Sequence, residues 1–133
     1  MDKLSVDAKV ENLYVITDYM EEKLEAIGIS PEHITSICIA IEEVYVNIAS
    51  YAYKDGNGKV DLEIDTDDSA VVIKFRDTGT PYNPLEKDDP DINLPAEERQ
   101  QGGLGIFMIK QIMDAVEYEY KDNQNVLTLT KHF

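Results

Sequence analysis

A glycine-rich segment directly before an apolar run has the composition of a phosphate-binding loop. The segment contains Gly102, Gly103 and Gly105. The apolar residues from Ile106 onward predict a helix. Glycines allow a backbone to approach a ligand closely, and the unpaired N–H groups of a helix's first turn attract anions. A loop that simply leads into a buried helix has the same pattern, so the segment alone is a weak indication of phosphate binding.

Glu43 and Asn47 form a second candidate pair, four residues apart in a segment with helical periodicity. At this spacing both side chains lie on one flank of the helix, beside the apolar stripe that contains Ile41 and Val44. A carboxylate can take a proton from a hydroxyl, and an amide oxygen can bind a hard cation such as Mg²⁺. An ordinary exposed polar pair is the alternative that these residues leave open.

Asp77 and Gly79 form a third candidate at the end of the apolar run 70–75. A carboxylate fixed at the end of a buried strand can accept a hydrogen bond from an exocyclic amine such as that of adenine. Gly79 would then let the base lie close to the backbone. Asp-x-Gly is also a common turn, because Asp accepts a hydrogen bond from the backbone two residues on.

Hydrophobic periodicity predicts the elements that position these residues. Two antiparallel hairpins, together with helices that are apolar on one side, predict an α+β fold in which helices cover one face of a mixed, mostly antiparallel sheet. Asp122–Asn125 is predicted as the turn of the last hairpin. The predicted order is a strand over 3–8, a helix over 9–27, a helix from Ser30 and Pro31 to about Tyr53, strands near 60–64 and 70–75, a helix over 104–114, and strands over 116–120 and 126–130.

The segment 80–101 keeps no helical or strand period, and it is rich in proline and acidic residues. A loop of about 20 residues inside a small domain is typically a lid, a binding loop or a disordered segment. Because it connects Asp77 to the glycine-rich segment, we predict a lid that closes over a shared ligand. Arg99 lies near its end, where it would contact a terminal phosphate or pair with the lid's own acids.

Length and charge restrict the classes of function. The 133 residues suit one domain over 1–133, and 12 Lys+Arg against 27 Asp+Glu give a formal charge of −15. This charge opposes direct binding to nucleic acid or to an anionic membrane. The single cysteine, Cys38, excludes a disulfide framework and a cysteine metal cluster. Without an apolar signal segment or a membrane-length apolar run, we expect a cytoplasmic protein.

With these three motifs in this order, the chain resembles the ATP-binding domain of the GHKL superfamily, the Bergerat fold of sensor histidine kinases, gyrase and heat-shock chaperone ATPases. It is most similar to the stand-alone anti-sigma-factor serine/threonine kinases of bacteria, and the resemblance extends from the first strand to Lys131. The fold that the resemblance implies is a two-layer α/β sandwich.

The resemblance implies a role for each motif. Glu43 would be the general base that takes the proton from a substrate serine, and Asn47 would hold the Mg²⁺ that bridges the ATP phosphates. Asp77 would accept from the adenine amino group. The other residues implied in nucleotide binding are Gly79, Arg99, Gly102, Gly103, Leu104 and Gly105.

The same resemblance implies a sigma factor and an anti-anti-sigma antagonist as partners, and a homodimer. A nucleotide-gated binding regulator without kinase activity, and an ATP-binding component of another bacterial signalling system, stay open as alternatives. The chain departs from the family pattern in two places. Pro81 replaces the last glycine of the motif that begins at Asp77, and Gln124-Asn125 replaces a Gly-Thr, which would remove one contact on the adenine side.

Overall fold

Five strands and three helices make up the part of the chain that the computed structural model describes, which is residues 2–53, 58–67, 69–86 and 103–132. Short 3-10 turns at Val10–Asn12 and Pro84–Glu86 complete the regular structure of these residues. In chain order the elements are β1 (Asp2–Asp7), α1 (Leu13–Ala26), α2 (Pro31–Tyr51), β2 (Lys59–Thr66), β3 (Ala70–Asp77), α3 (Gly103–Ile112), β4 (Ala115–Lys121) and β5 (Gln124–His132).

The strands form one sheet in the order β1-β2-β3-β5-β4. All four pairings between the described strands are antiparallel, so the α+β prediction is confirmed, with a sheet that is antiparallel rather than mixed in these residues. The final hairpin returns so that β5, not β4, pairs with β3. As a result β3 lies at the centre of the sheet, and Asp77 at its end is flanked by β2 and β5.

One face of the sheet packs against the helices and forms the core. Alternate residues of the strands are directed to this face, as the period of two requires. Each fully buried aliphatic or aromatic side chain contributes roughly 1.5–3 kcal/mol relative to its exposed state. The largest fully buried side chains include Phe75, Leu62, Ile73 and Leu129 from the sheet and Tyr45, Ile16, Met20, Leu24, Ile37, Ile41 and Ile109 from the helices.

The opposite face of the sheet is polar, as is common for an antiparallel sheet with one solvated side. Glu63 on β2 is the most buried acid there, with 8% of its side chain exposed. Its Oε1 accepts a hydrogen bond from Arg76 Nε at 3.0 Å and lies 3.6 Å from Lys3 Nζ. These three charges therefore pair across β1, β2 and β3.

The predicted signals at the ends of α1 and α2 are confirmed. The Ser30 side chain accepts a hydrogen bond from His33 N–H, and Pro31 occupies the first helical position of α2. Gly28, just after α1, has φ +85, a conformation that glycine adopts without steric cost. α1 begins at Leu13, four residues later than predicted, because Val10–Asn12 form a 3-10 turn.

The turn of the last hairpin is two residues shorter than predicted. Asp122 and Asn123 adopt φ 55 and φ 63, and they form a two-residue turn between β4 and β5. Asp and Asn tolerate this left-handed conformation, and such turns match the twist of the strands. Gln124 and Asn125 therefore belong to β5 and not to the turn, which places Asn125 opposite Asp77. No helix of the described residues is long and apolar enough to cross a membrane.

Candidate functional site

A cleft with about 530 Å³ of empty space, part of it open to solvent, lies between α2, the end of β3, the last hairpin and the start of α3. Its walls are mainly apolar, and Asp77 is the only charged side chain among the described residues that line it. The lining residues are Val44, Asn47, Ile48, Ala52, Phe75, Asp77, Thr80, Tyr82, Pro84, Ile106, Tyr118, Asn125 and Leu127.

Asp77 is 5% exposed, and its carboxylate is held through one of its two oxygens. Oδ1 accepts hydrogen bonds from Gly79 N–H at 3.0 Å and from Asn125 Nδ2 at 2.9 Å. No described residue donates to Oδ2. Burial raises the pKa of Asp77 above its usual value, and the two hydrogen bonds oppose part of that rise. A buried carboxylate with one unused oxygen is suited to accept a hydrogen bond from a ligand.

The backbone after Asp77 contacts the end of α2. Thr80 N–H donates to the Ala52 carbonyl at 2.8 Å, and a Cβ placed on Gly79 would lie 2.2 Å from the same carbonyl oxygen. Thr78 N–H donates to the Tyr53 hydroxyl at 2.9 Å. Only glycine fits at position 79, because the end of α2 approaches it so closely. This packing requirement is separate from the predicted role of Gly79 beside the adenine ring.

Asn47 lies in the same cleft as Asp77. It shares the cleft-facing stripe of α2 with Val44, Ile48 and Ala52, which are spaced as one helix face requires. The Asn47 amide makes no hydrogen bond with any residue that the structure describes. A polar amide left unused in a cleft is suited to bind a ligand oxygen or a cation.

Glu43 lies one helical turn before Asn47 and is half-buried. It does not line the cleft, and it forms no hydrogen bond or ion pair within the described part of the chain. The structure thus brings Asn47 and Asp77 together and leaves Glu43 on the flank of α2. Its carboxylate is not engaged by a neighbour among these residues.

The glycine-rich segment is described from Gly103 onward. Gly103, Leu104 and Gly105 form the first turn of α3, and Ile106 in the next turn lines the cleft. The N-terminus of α3 therefore lies next to the cleft, and the backbone N–H groups of a helix's first turn have no partner within the helix. The predicted contributions of Arg99 and Gly102 lie outside the described residues, as do residues 87–101 of the predicted lid.

Asn125 was not among the predicted site residues. The sequence pattern places it in a turn, and the family resemblance implies the loss of an adenine-side contact at this position, whereas the structure places its amide against Asp77 Oδ1. The alternation of Asn125 with Leu127 and Leu129 on β5 was the available signal, since all three face the helices. A prediction that placed the turn at Asp122 and Asn123 would have put Asn125 on β5, on the same face as Leu127 and Leu129.

The described residues contain no group of three His, Cys, Asp or Glu side chains that could hold a metal ion. A cation in this cleft would therefore need ligands from a bound molecule in addition to the Asn47 oxygen. Mg²⁺ is commonly bound in this way, through one or two protein oxygens together with substrate phosphates and water. The donor set fits a cation that enters with a nucleotide.

Comparisons with known proteins agree with this geometry. Residues 6–131 match the family described as histidine kinase-like ATPase domain. The serine-protein kinases RsbW of Bacillus cereus (strain ATCC 10987 / NRS 248) and Bacillus mycoides (strain KBAB4) are each 28% identical to the chain over 134 residues, which is 98% of the chain and 83% of each relative.

A crystal structure of the RsbU and RsbW domains of a Mycobacterium tuberculosis protein has the same fold, with a TM-score of 0.62 at 19% identity. The match covers 98% of this chain and 32% of that larger one, so the present chain corresponds to about a third of it. The family match covers nearly all of the sequence and confirms the resemblance noted from its motifs. This chain belongs to the histidine kinase-like ATPase domain family.

Proposed function

We propose that this protein is an ATP- and Mg²⁺-dependent serine/threonine kinase of the anti-sigma-factor type. It sequesters a sigma factor and phosphorylates a serine of an anti-anti-sigma antagonist. The observation that carries the proposal is the pairing, in one apolar cleft, of the buried Asp77 carboxylate and the Asn47 amide, which no described residue engages. The names of the relatives, serine-protein kinase RsbW, support the same reaction.

The Asp77 end of the cleft suits adenine. Ile48, Phe75, Ile106 and Leu127 provide apolar surface for a flat base. Asp77 Oδ2 would accept from the exocyclic amine of adenine. Guanine carries a carbonyl oxygen at that position, which the carboxylate would repel, so ATP is preferred over GTP.

The Asn47 end suits the phosphates. Asn47 would hold Mg²⁺ through its amide oxygen, and the N–H groups at the start of α3 would bind phosphate oxygens, together with the predicted Arg99 and Gly102. The bound Mg²⁺ supplies positive charge that offsets the phosphates and the protein's formal charge of −15.

Glu43 is the proposed general base. The serine hydroxyl of the antagonist gives its proton to the Glu43 carboxylate while its oxygen forms a bond to the γ-phosphorus. The bond from that phosphorus to the β–γ bridging oxygen breaks, and ADP leaves. A half-buried carboxylate that is unengaged among the described residues, one turn from Asn47, is accessible to a hydroxyl presented by a second protein.

Calorimetric titration with ATP, with and without Mg²⁺, tests the nucleotide site. The titrations compare the unmodified protein, Asp77→Asn, and the control Asp65→Asn, which makes the same change at an exposed position of β2. We expect Mg²⁺-dependent binding that is at least about tenfold weaker in Asp77→Asn, since a hydrogen bond to a charged group contributes about 1.5–3 kcal/mol. The control should bind normally, and absence of binding by the unmodified protein at millimolar ATP would reject the proposal.

A binding regulator without phosphoryl transfer is the second candidate, because Glu43 does not line the cleft. Transfer of labelled phosphate from ATP to a serine-bearing antagonist separates the two candidates. The antagonist becomes labelled only if the protein is a kinase, whereas ATP-dependent capture of a sigma factor without labelling supports the regulator. An ATP-binding role in another signalling system predicts neither result. The homodimer and the cytoplasmic location are parts of the same proposal, and sedimentation analysis tests the former.

A further inference from the structure

The Asn125 side chain uses every hydrogen-bonding position of its amide. Nδ2 donates to Asp77 Oδ1 at 2.9 Å and to the Thr80 carbonyl at 3.0 Å. Oδ1 accepts from Tyr82 N–H at 3.1 Å and from the Tyr118 hydroxyl. The residue itself is 8% exposed. One buried amide therefore joins β3, the segment after β3, β4 and β5.

The chemistry of these four partners selects an amide at this position. Ionised Asp77 and the Thr80 carbonyl are acceptors, whereas the Tyr82 N–H is a donor, so the site needs two donors on one side and acceptors on the other. A carboxylate at position 125 would repel Asp77. A threonine has a single hydroxyl proton and could donate to only one of the two acceptors. Because the network is fully satisfied, it holds its members in one arrangement.

We propose that Asn125 is a positioning residue for nucleotide recognition, which holds Asp77 by Oδ1 so that Oδ2 is left for the ligand, and which fixes Thr80 and Tyr82 beside it. This inference rests on the proposed function in its reference to a nucleotide.

The Nδ2 hydrogen bond also favours the ionised form of Asp77, in opposition to the effect of burial on its pKa. Among the described residues that line the cleft, the other titratable groups are the phenols of Tyr118 and Tyr82. α2 contributes the uncharged Asn47 and α3 contributes Ile106. Removal of the Asn125 donor should therefore change the titration of Asp77 without interference from another charge among the lining residues.

The test is an NMR titration of the Asp77 side-chain carboxyl carbon in nucleotide-free protein. It compares the unmodified protein with Asn125→Leu, which has no donor, and Asn125→Thr, which has one. Thr128→Val is the control, because Thr128 lies on β5 with its side chain on the opposite face of the sheet. We expect an upward shift of the Asp77 pKa that is largest in Asn125→Leu, smaller in Asn125→Thr and absent in Thr128→Val.

A titration of Asp77 in Asn125→Leu that matches the unmodified protein would overturn the inference. If Asn125→Leu does not fold, Asn125→Thr alone decides it, by the same criterion. The second measurement is Mg-ATP binding as a function of pH, where loss of binding in acid should begin at higher pH in the Asn125 variants than in Thr128→Val. If the unmodified protein binds no ATP, the proposed function fails, whereas the carboxyl titration still decides the role of Asn125.

Discussion

The backbone N–H of Thr80 donates to the carbonyl of Ala52 at 2.8 Å, and this bond joins the segment after β3 directly to the end of α2. Asn47 lies on that helix and Asp77 on that strand. Tyr53 reinforces the junction, since its hydroxyl accepts from Thr78 N–H and donates to the Lys59 carbonyl at 2.6 Å. The distance between Asn47 and Asp77 is therefore determined by these contacts between the end of α2 and the segment after β3.

Gly79→Ala should damage this junction. The added Cβ would lie 2.2 Å from the Ala52 oxygen and 2.6 Å from its carbonyl carbon, and backbone atoms cannot move as a flexible side chain can. We expect the free energy of unfolding, measured in urea, to fall by about 2 kcal/mol or more. Nucleotide binding should weaken as well, because α2 and Asp77 must move apart.

Gly28→Ala is the matched control for this substitution. Gly28 has φ +85, and apart from its chain neighbours no described atom lies within 4 Å of the position that a methyl group would take, so alanine there meets backbone strain alone. That strain costs about 1–2 kcal/mol. The control should therefore lose some stability and keep its affinity for nucleotide. Equal affinity in Gly79→Ala would show that the junction does not determine the cleft.

Glu63 pairs with Arg76 and Lys3 on the solvent-exposed face of the sheet. The Arg76 pair should contribute more to the free energy of unfolding than the Lys3 pair. Arg76 is 30% exposed and bonds Glu63 at 3.0 Å, whereas Lys3 is 67% exposed and 3.6 Å away. Arg76→Ala leaves a buried carboxylate with a poor partner, so we expect a loss of about 1–3 kcal/mol in the free energy of unfolding. Lys3→Ala should cost less than about 0.5 kcal/mol, as exposed ion pairs do. Equal losses in urea titrations would contradict this ranking.

The sequence was sufficient to predict the elements and the two polar ends of the cleft. Periodicity located each helix and strand, and the spacing of Asn47 from Val44 and Ile48 determined its side of α2. These are local properties, because they depend on residues within a few turns of one another.

The contacts that the sequence did not predict are nonlocal. Asn125 is 48 residues from Asp77, and the meeting of their side chains depends on the order in which β5 pairs with β3. The predicted turn extended two residues too far, to Asn125, and this error was enough to hide the contact. The role of Ala52 against Gly79 likewise depends on how α2 ends over the sheet, which periodicity does not specify.

Substitutions at Asn47 and Glu43 should separate binding from transfer. Asn47→Ala removes the proposed Mg²⁺ ligand, so Mg²⁺ should no longer strengthen ATP binding in calorimetry. Glu43→Gln removes the base and preserves the size of the side chain, so ATP binding should be unchanged while phosphoryl transfer falls by about 100-fold or more. Full transfer activity in Glu43→Gln would mean that another group accepts the proton.

Asp77→Asn should make the protein more stable as it weakens nucleotide binding. Burial raises the pKa of Asp77 in the folded protein, so folding favours the protonated acid. The contribution of Asp77 to stability is greatest below its pKa in the unfolded chain, and it is lost as pH rises through the higher pKa of the folded state. At neutral pH the ionised, desolvated carboxylate therefore opposes folding, and the uncharged amide of asparagine does not.

Thermal unfolding of both proteins over a series of pH values measures this effect. The advantage of Asp77→Asn should be small in strong acid, grow across the interval between the two pKa values, and stay constant toward neutral pH. An advantage that does not change with pH would show that Asp77 is not the titrating group. A carboxylate that opposes folding at neutral pH is expected at a position that serves ligand binding rather than stability, and Asp77 Oδ2 is the proposed acceptor for the adenine amine.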